Sequence, residues 1–152
     1  MIFLVMTLYS VSEKVSMVYK IYTDGASRGN PGPSGIGAVI YDDQGKVVHE
    51  IAKYIGEVTN NVAEYEALLE VLDYCVKKHI SPIEILADSQ LLIKQMTGEY
   101  RVKHENIKPL YRRAQDYLVH LKVIRYQHVP RELNKAADKL ANKGIDDHLD
   151  RV

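Results

Sequence analysis

The chain is expected to fold as an α/β domain on a five-stranded mixed sheet, and three observations predict this. Three short strand-like runs separated by turn residues open it, at residues 18–25, 36–41 and 47–54. A long amphipathic run follows at residues 61–78. Beyond it, apolar runs alternate with helical ones, as crossover connections require. The predicted order is βββαβααβα.

The elements follow from local chemistry. Arg28-Gly-Asn-Pro-Gly-Pro-Ser-Gly35 is turn-rich and is expected to be a loop. Asp42-Asp-Gln-Gly45 is the next turn, so the first three strands form an antiparallel meander. In the first helix, Tyr65, Leu68, Leu69, Leu72, Cys75 and Val76 make one apolar stripe at helical spacing. Glu66, Glu70, Asp73 and Lys77 take the other face, whereas Glu64 lies one turn before Leu68, on the inward side. Ser81-Pro82 breaks the chain before a strand at residues 83–87. A short helix at 89–96 ends near Gly98, and a third helix covers 106–118. A fifth strand at 122–128 stops at Pro130. The last helix is expected over 133–143, with Gly144 as its stop and residues 146–152 as a solvated acidic tail.

With 152 residues and 46% hydrophobic content, the chain suits one domain with a real core, expected over residues 18–145. Residues 1–17 read as an extension, native or the product of an early start codon. Their apolar stretch, Met1 to Met6, is too short to span a bilayer and lacks the basic start of a secretory signal. No membrane association is expected. Cys75 is the single cysteine, which excludes an intramolecular disulfide and a cysteine-based zinc cluster and fits a reducing, cytoplasmic location.

Four acidic residues stand in or beside apolar runs: Asp24, Glu64, Asp88 and Asp138. Desolvating an unpaired carboxylate costs several kcal/mol, so such groups are usually paired or bound to metal. Four carboxylates that converge suit a hard, oxygen-ligated cation such as Mg²⁺. Other chemistries are not supported. Gly32-Pro-Ser-Gly-Ile-Gly37 opens a strand and not a helix, so it is no dinucleotide fingerprint, and no Gly-Lys-Ser/Thr follows. Cys75 belongs to a core stripe. The 11 tyrosines read mainly as half-buried sheet residues. His128 differs from the other histidines because it ends a strand ten residues before Asp138.

Formal net charge is zero, yet it is unevenly spread: residues 101–131 carry eight Lys/Arg against two acids. That local excess suits either a phosphate-facing surface or a solvated helix face.

Together these residues resemble the type 1 ribonuclease H family (ribonuclease HI), closest to its short archaeal and bacterial branch. The matching runs are Tyr22-Thr-Asp-Gly-Ala-Ser-Arg-Gly-Asn-Pro-Gly32, Thr59-Asn-Asn-Val-Ala-Glu64, Ala87-Asp-Ser-Gln90 and His128 through Asn134 to Asp138. The resemblance spans about residues 18–143. It implies a sheet of order 32145 and an endoribonuclease that hydrolyses the RNA strand of RNA–DNA hybrids with two metal ions. Products would carry 5′-phosphate and 3′-hydroxyl ends, and activity on double-stranded RNA is a further option. The metal ligands would be Asp24, Glu64, Asp88 and Asp138, holding Mg²⁺ with Mn²⁺ as a substitute, and His128 would be a mobile proton-handling residue. The 2′-hydroxyl would meet the backbone of Gly25, Ala26 and Ser27 and the amides of Asn60, Asn61 and Gln90. Thr59 would hold a DNA-strand phosphate, with Asn30 near that strand. A monomer without an obligate protein partner is expected.

Two positions depart from the family pattern: Glu57 replaces a common basic residue, and Val102-Lys-His104 replaces a common Val-Lys-Asn. The tryptophan-containing basic protrusion of some members is missing, leaving residues 101–113 as the only substitute for its charge. Two other functions stay open. A catalytically weak nucleic-acid-binding module gains nothing from acids facing phosphate. A junction- or transposase-type nuclease has no use for amides that read a 2′-hydroxyl.

Overall fold

The computed structural model describes residues 17–152; the extension expected over residues 1–17 lies, but for Met17, outside the described residues. Strands β1 (Tyr19–Ser27), β2 (Gly32–Tyr41) and β3 (Val47–Val58) form the expected antiparallel meander. β4 (Ile83–Ala87) and β5 (Val123–His128) add in parallel on the other edge of β1. The sheet order is β3-β2-β1-β4-β5, which bears out the predicted fold class and order.

Helix α1 (Asn60–Lys78) packs on β1, with Leu68, Leu69 and Leu72 almost fully buried. Its apolar stripe meets Ile21, Ala38, Ile40, Ile83 and Ile85 in the main core. Truncating Leu72 to Ala there would cost about 2–5 kcal/mol. Helices α2 (Gln90–Met96) and α3 (Lys108–Leu118) follow β4. A 3₁₀ turn at Arg131–Leu133 leads from β5 into α4 (Lys135–Asp150). Side chains alternate across a strand. Ala38 and Ile40 of β2 join the α1 core, while a Cβ on Gly37 would collide with Ala137 of α4. The two helices therefore clasp the sheet from opposite faces.

Several boundaries differ from those the sequence predicts. The segment Gly32–Gly35 is the start of β2 and not a loop: it pairs with β3 through Gly32↔Val58 and Gly35↔Tyr54. β3 likewise extends four residues past Tyr54 to Val58. Glu70, on the solvent-facing side of α1 as expected, pairs with Lys53 of β3 at 2.6 Å.

The largest correction concerns the C-terminus. Gly144 does not end α4, which runs on to Asp150, so no tail begins at residue 146. Gly144 is there because a Cβ would strike the Lys53 backbone of β3; the missing side chain permits close approach and not a stop. The added turns are pinned to the sheet and to the loop after β1. His148 stacks on Tyr54 with ring centroids 3.7 Å apart, and Asp146 pairs with Arg28 at 2.7 Å. Among the described residues, no helix is long and apolar enough to cross a membrane.

Candidate active site

Parallel pairing places the first two carboxylates. Thr23 of β1 lies beside Ala87 of β4, so the next residue on each strand, Asp24 and Asp88, emerges side by side. Ala87 is in turn beside His128, which brings the end of β5 to the same edge. Glu64 comes from the first turn of α1, which lies hard on β1. A Cβ at Gly25 would run into the backbone of Ala63 and Glu64, so glycine is what lets the two elements approach.

Asp24, Glu64 and Asp88 each offer an oxygen, and these oxygens lie within 4.8 Å of one another. Asp24 is 5% exposed and Glu64 9% exposed. Burial pushes the Asp24 carboxyl up to about 8, helped by the charges of Asp88 and Asp138. Burial also raises Glu64 well above the carboxylate range, with Asp24 and Asp88 adding to it. Asp88 is raised by burial too, while an Asn134 hydrogen bond and the charges of Arg131 and His128 hold it down. Glu64 Oε2 is buried without a hydrogen-bond partner. Three mutually repelling acids, one with an orphan oxygen, form a poor arrangement for the protein alone. They form a good one around an oxygen-seeking divalent cation.

Asp138 lies in the same cleft of about 560 Å³ but outside the tight triad. It sits on the first turn of α4, which is anchored by Asn134. Asn134 Nδ2 donates to the Thr23 carbonyl at 2.9 Å, and the Asn134 backbone carbonyl accepts from the Asp138 amide at 3.1 Å.

Of the expected substrate contacts, Gly25, Ala26, Ser27, Asn60 and Asn61 line the cleft. Asn60 is held in place from both sides. Its Oδ1 accepts from Ser27 N at 3.0 Å, and its backbone N donates to Asn30 Oδ1 at 2.9 Å. Asn30, Thr59, Gln90 and His128 are not among the lining residues. Thr59 caps α1, accepting from Val62 N at 3.4 Å. Gln90 is exposed one residue past Ser89, the cap of α2. His128 is exposed, with Nε2 at 3.2 Å from the Asp88 carbonyl oxygen.

Arg28, Ser89, Arg131 and Asn142 also line the cleft; the sequence reading counts Arg131 only within the basic stretch and assigns the other three no role. Asn142 carries a usable signal: it is four residues after Asp138, on one face of a helix. The expected helix over 133–143 already contains both residues, so the signal is there to use; only Asp146, one turn further, falls outside it.

Residues 22–144 match the family described as reverse transcriptase-like. The chain is 45% identical over 127 residues to the bifunctional protein Rv2228c of Mycobacterium tuberculosis, covering 83% of this chain and 35% of that one. It is 41% identical over 126 residues to the ribonuclease HI of Halobacterium salinarum, covering 63% of that protein. The chain thus spans about a third of the mycobacterial relative and under two thirds of the archaeal one. Among solved structures, RNase H1 of Halobacterium salinarum superposes with a TM-score of 0.82 at 40% identity, covering 86% of this chain and 98% of that one. LC11-RNase H1 in complex with an RNA/DNA hybrid gives 0.80 at 42%, covering 86% and 99%.

Proposed function

The chain belongs to the type 1 ribonuclease H family, and from that premise we propose that it cuts the RNA strand of RNA–DNA hybrids by metal-dependent hydrolysis. The observation that carries this reading is the triad of Asp24, Glu64 and Asp88, with its buried, partnerless Glu64 oxygen. The donor set is all oxygen, which fits Mg²⁺, with Mn²⁺ as a substitute. The triad and Asp138 would hold two such ions. When bound, the metal supplies Lewis acidity at the scissile phosphate and lowers the pKa of the attacking water.

The chain's own residues do the rest. The carboxylates give up their shared protons and set where the phosphate can sit. His128, at the edge of β5 beside the Asp88 backbone, handles protons or helps product leave. Cleavage leaves a 5′-phosphate and a 3′-hydroxyl. Selection of the RNA strand falls to the backbone of Gly25–Ser27 and the amides of Asn60, Asn61 and Gln90. Asn60 Oδ1 is already engaged by Ser27, so its NH₂ is the group left to meet a 2′-hydroxyl. The Thr59 hydroxyl accepts a helix-cap bond and keeps its proton to donate to a DNA-strand phosphate. The exposed Arg101, Lys103, Arg112 and Arg113 supply the positive surface for the hybrid.

The test is a cleavage assay on hybrid, double-stranded RNA and double-stranded DNA with Mg²⁺. The hybrid should be cut and duplex DNA should be inert, with double-stranded RNA slower than hybrid or uncut. Comparable rates on hybrid and duplex DNA would overturn the reading in favour of a transposase-like nuclease.

A further inference from the structure

We propose that Arg28 and Asn142 are positioning residues that aim Asp138 at the metal cleft, with Asp146 as the outer anchor. The inference rests on the reading of the cleft as a metal site. Asp138, Asn142 and Asp146 recur every four residues on α4, so they share one helix face. The face is wired end to end. Asn142 Nδ2 donates to Asp138 Oδ1 at 3.3 Å and to the Asp138 carbonyl at 3.0 Å. Asn142 Oδ1 accepts from Arg28 Nη2 at 3.1 Å. Arg28 Nη1 reaches Asp146 Oδ1 at 2.7 Å.

The chemistry gives this chain a direction. An amide can be turned either way round, and only one way presents its NH₂ to Asp138. The guanidinium is donor-only, so its contact forces the Asn142 oxygen toward Arg28 and the NH₂ toward the carboxylate. Asp146 in turn fixes the guanidinium by its second nitrogen. A planar fork can hold both contacts at once; a lysine ammonium on one flexible stem holds them poorly.

The placement also answers a structural need. Asp24, Glu64 and Asp88 are fixed by the sheet and by the buried face of α1. Asp138 lies outside that triad, on a helix whose first turn is held to β1 by Asn134. Its half-buried carboxylate meets Asp24 on the sheet side and Asn142 on its own helix. The Arg28–Asp146 pair is open to solvent, with side chains 39% and 57% exposed, so it adds little to stability. What it fixes is direction.

The experiment uses the full chain with four variants: Arg28→Gln, Arg28→Lys, Asn142→Ala and Asp146→Asn. Mn²⁺ binding to substrate-free protein is read by electron paramagnetic resonance, alongside the melting temperature. Hybrid cleavage is then followed as a function of Mg²⁺ concentration. Outer partners of metal ligands are typically worth about 10–100-fold in affinity or activity. Arg28→Gln and Asn142→Ala should weaken Mn²⁺ binding and raise the half-saturating Mg²⁺ about 10-fold, with unchanged melting temperature. Asp146→Asn should do the same more weakly, and Arg28→Lys should not restore wild-type behaviour.

The proposal is overturned if all variants keep the wild-type metal dependence, or if their losses track a falling melting temperature. It is also overturned if Arg28→Gln raises KM for hybrid with metal dependence unchanged, because Arg28 would then be a phosphate contact. The Mn²⁺ measurement needs no substrate. Failure of wild-type protein to cut hybrid would therefore sink the functional reading and leave the relay judged on metal binding alone.

Discussion

The cleft has two halves of different build. Asp24, Glu64 and Asp88 stand on the sheet and on the buried face of α1, crowded together, with Asp24 and Glu64 largely removed from water and Asp88 half-buried. Asp138 stands on α4, placed by a buried contact through Asn134 and by polar contacts nearer the surface through Asn142 and Arg28. The difference teaches where the protein has invested in rigidity. The triad repels itself, and only a packed core can hold it together until a cation arrives. The α4 arm carries one charge and needs aiming more than containment.

The largest effect should come from neutralising the triad. Asp24→Asn or Asp88→Asn removes a charged ligand and keeps its shape, so hybrid cleavage should fall to background. The fold should persist, and near-wild-type rates in either variant would break the two-metal reading. His128 stands beside the triad and donates no carboxylate to it. General acid–base groups contribute about 10²–10⁴-fold. His128→Ala should sit at the low end of that range, and a loss as complete as that of Asp88→Asn would show its role misassigned.

The contrast also predicts a pH dependence centred on the triad. Asp24 is raised from 3.8 to about 8 in the folded protein. Between those values the folded state keeps a proton that the unfolded state has released. Stability of the metal-free protein must therefore fall as pH rises from about 4 to about 8. The penalty at pH 8 should be on the order of a few kcal/mol, since each tenfold change in proton affinity is worth about 1.4 kcal/mol. Asp24→Asn should flatten the dependence and raise the metal-free melting temperature at pH 8, and Asp138→Asn should do so much less. Thermal melts at pH 5 and pH 8 in chelator check this; a wild-type melting temperature that rises with pH would contradict it.

Much of this division is legible in the sequence, and what is not has physical reasons. β4 can be read to the residue because four apolar residues and a single acid, Glu84, stand between Pro82 and Asp88. Glu64 can be read because helical spacing puts it with Leu68 on the inward side. The start of β2 is hidden because Gly32, Pro33 and Gly35 are turn residues in isolation. Pairing to β3 overrides that tendency. Gly144 misleads in the same way: its value is the room it leaves Lys53, a tertiary fact that no local rule reads. Ending the helix there also hides Asp146 as a member of one face with Asp138 and Asn142. Arg28 stands inside a family motif with no local sign of its role, since its partners lie 114 and 118 residues away.

The measurement that separates the two halves most directly is hybrid cleavage against Mg²⁺ concentration for wild type, Asp24→Asn and Asp138→Asn. Asp24→Asn should stay at background at every concentration, because the triad no longer holds metal productively. Asp138→Asn should start well below wild type and climb toward it as Mg²⁺ rises, because its loss weakens placement of the ion and leaves the triad intact. Recovery of Asp24→Asn by metal, or an Asp138→Asn that no concentration restores, would contradict the account.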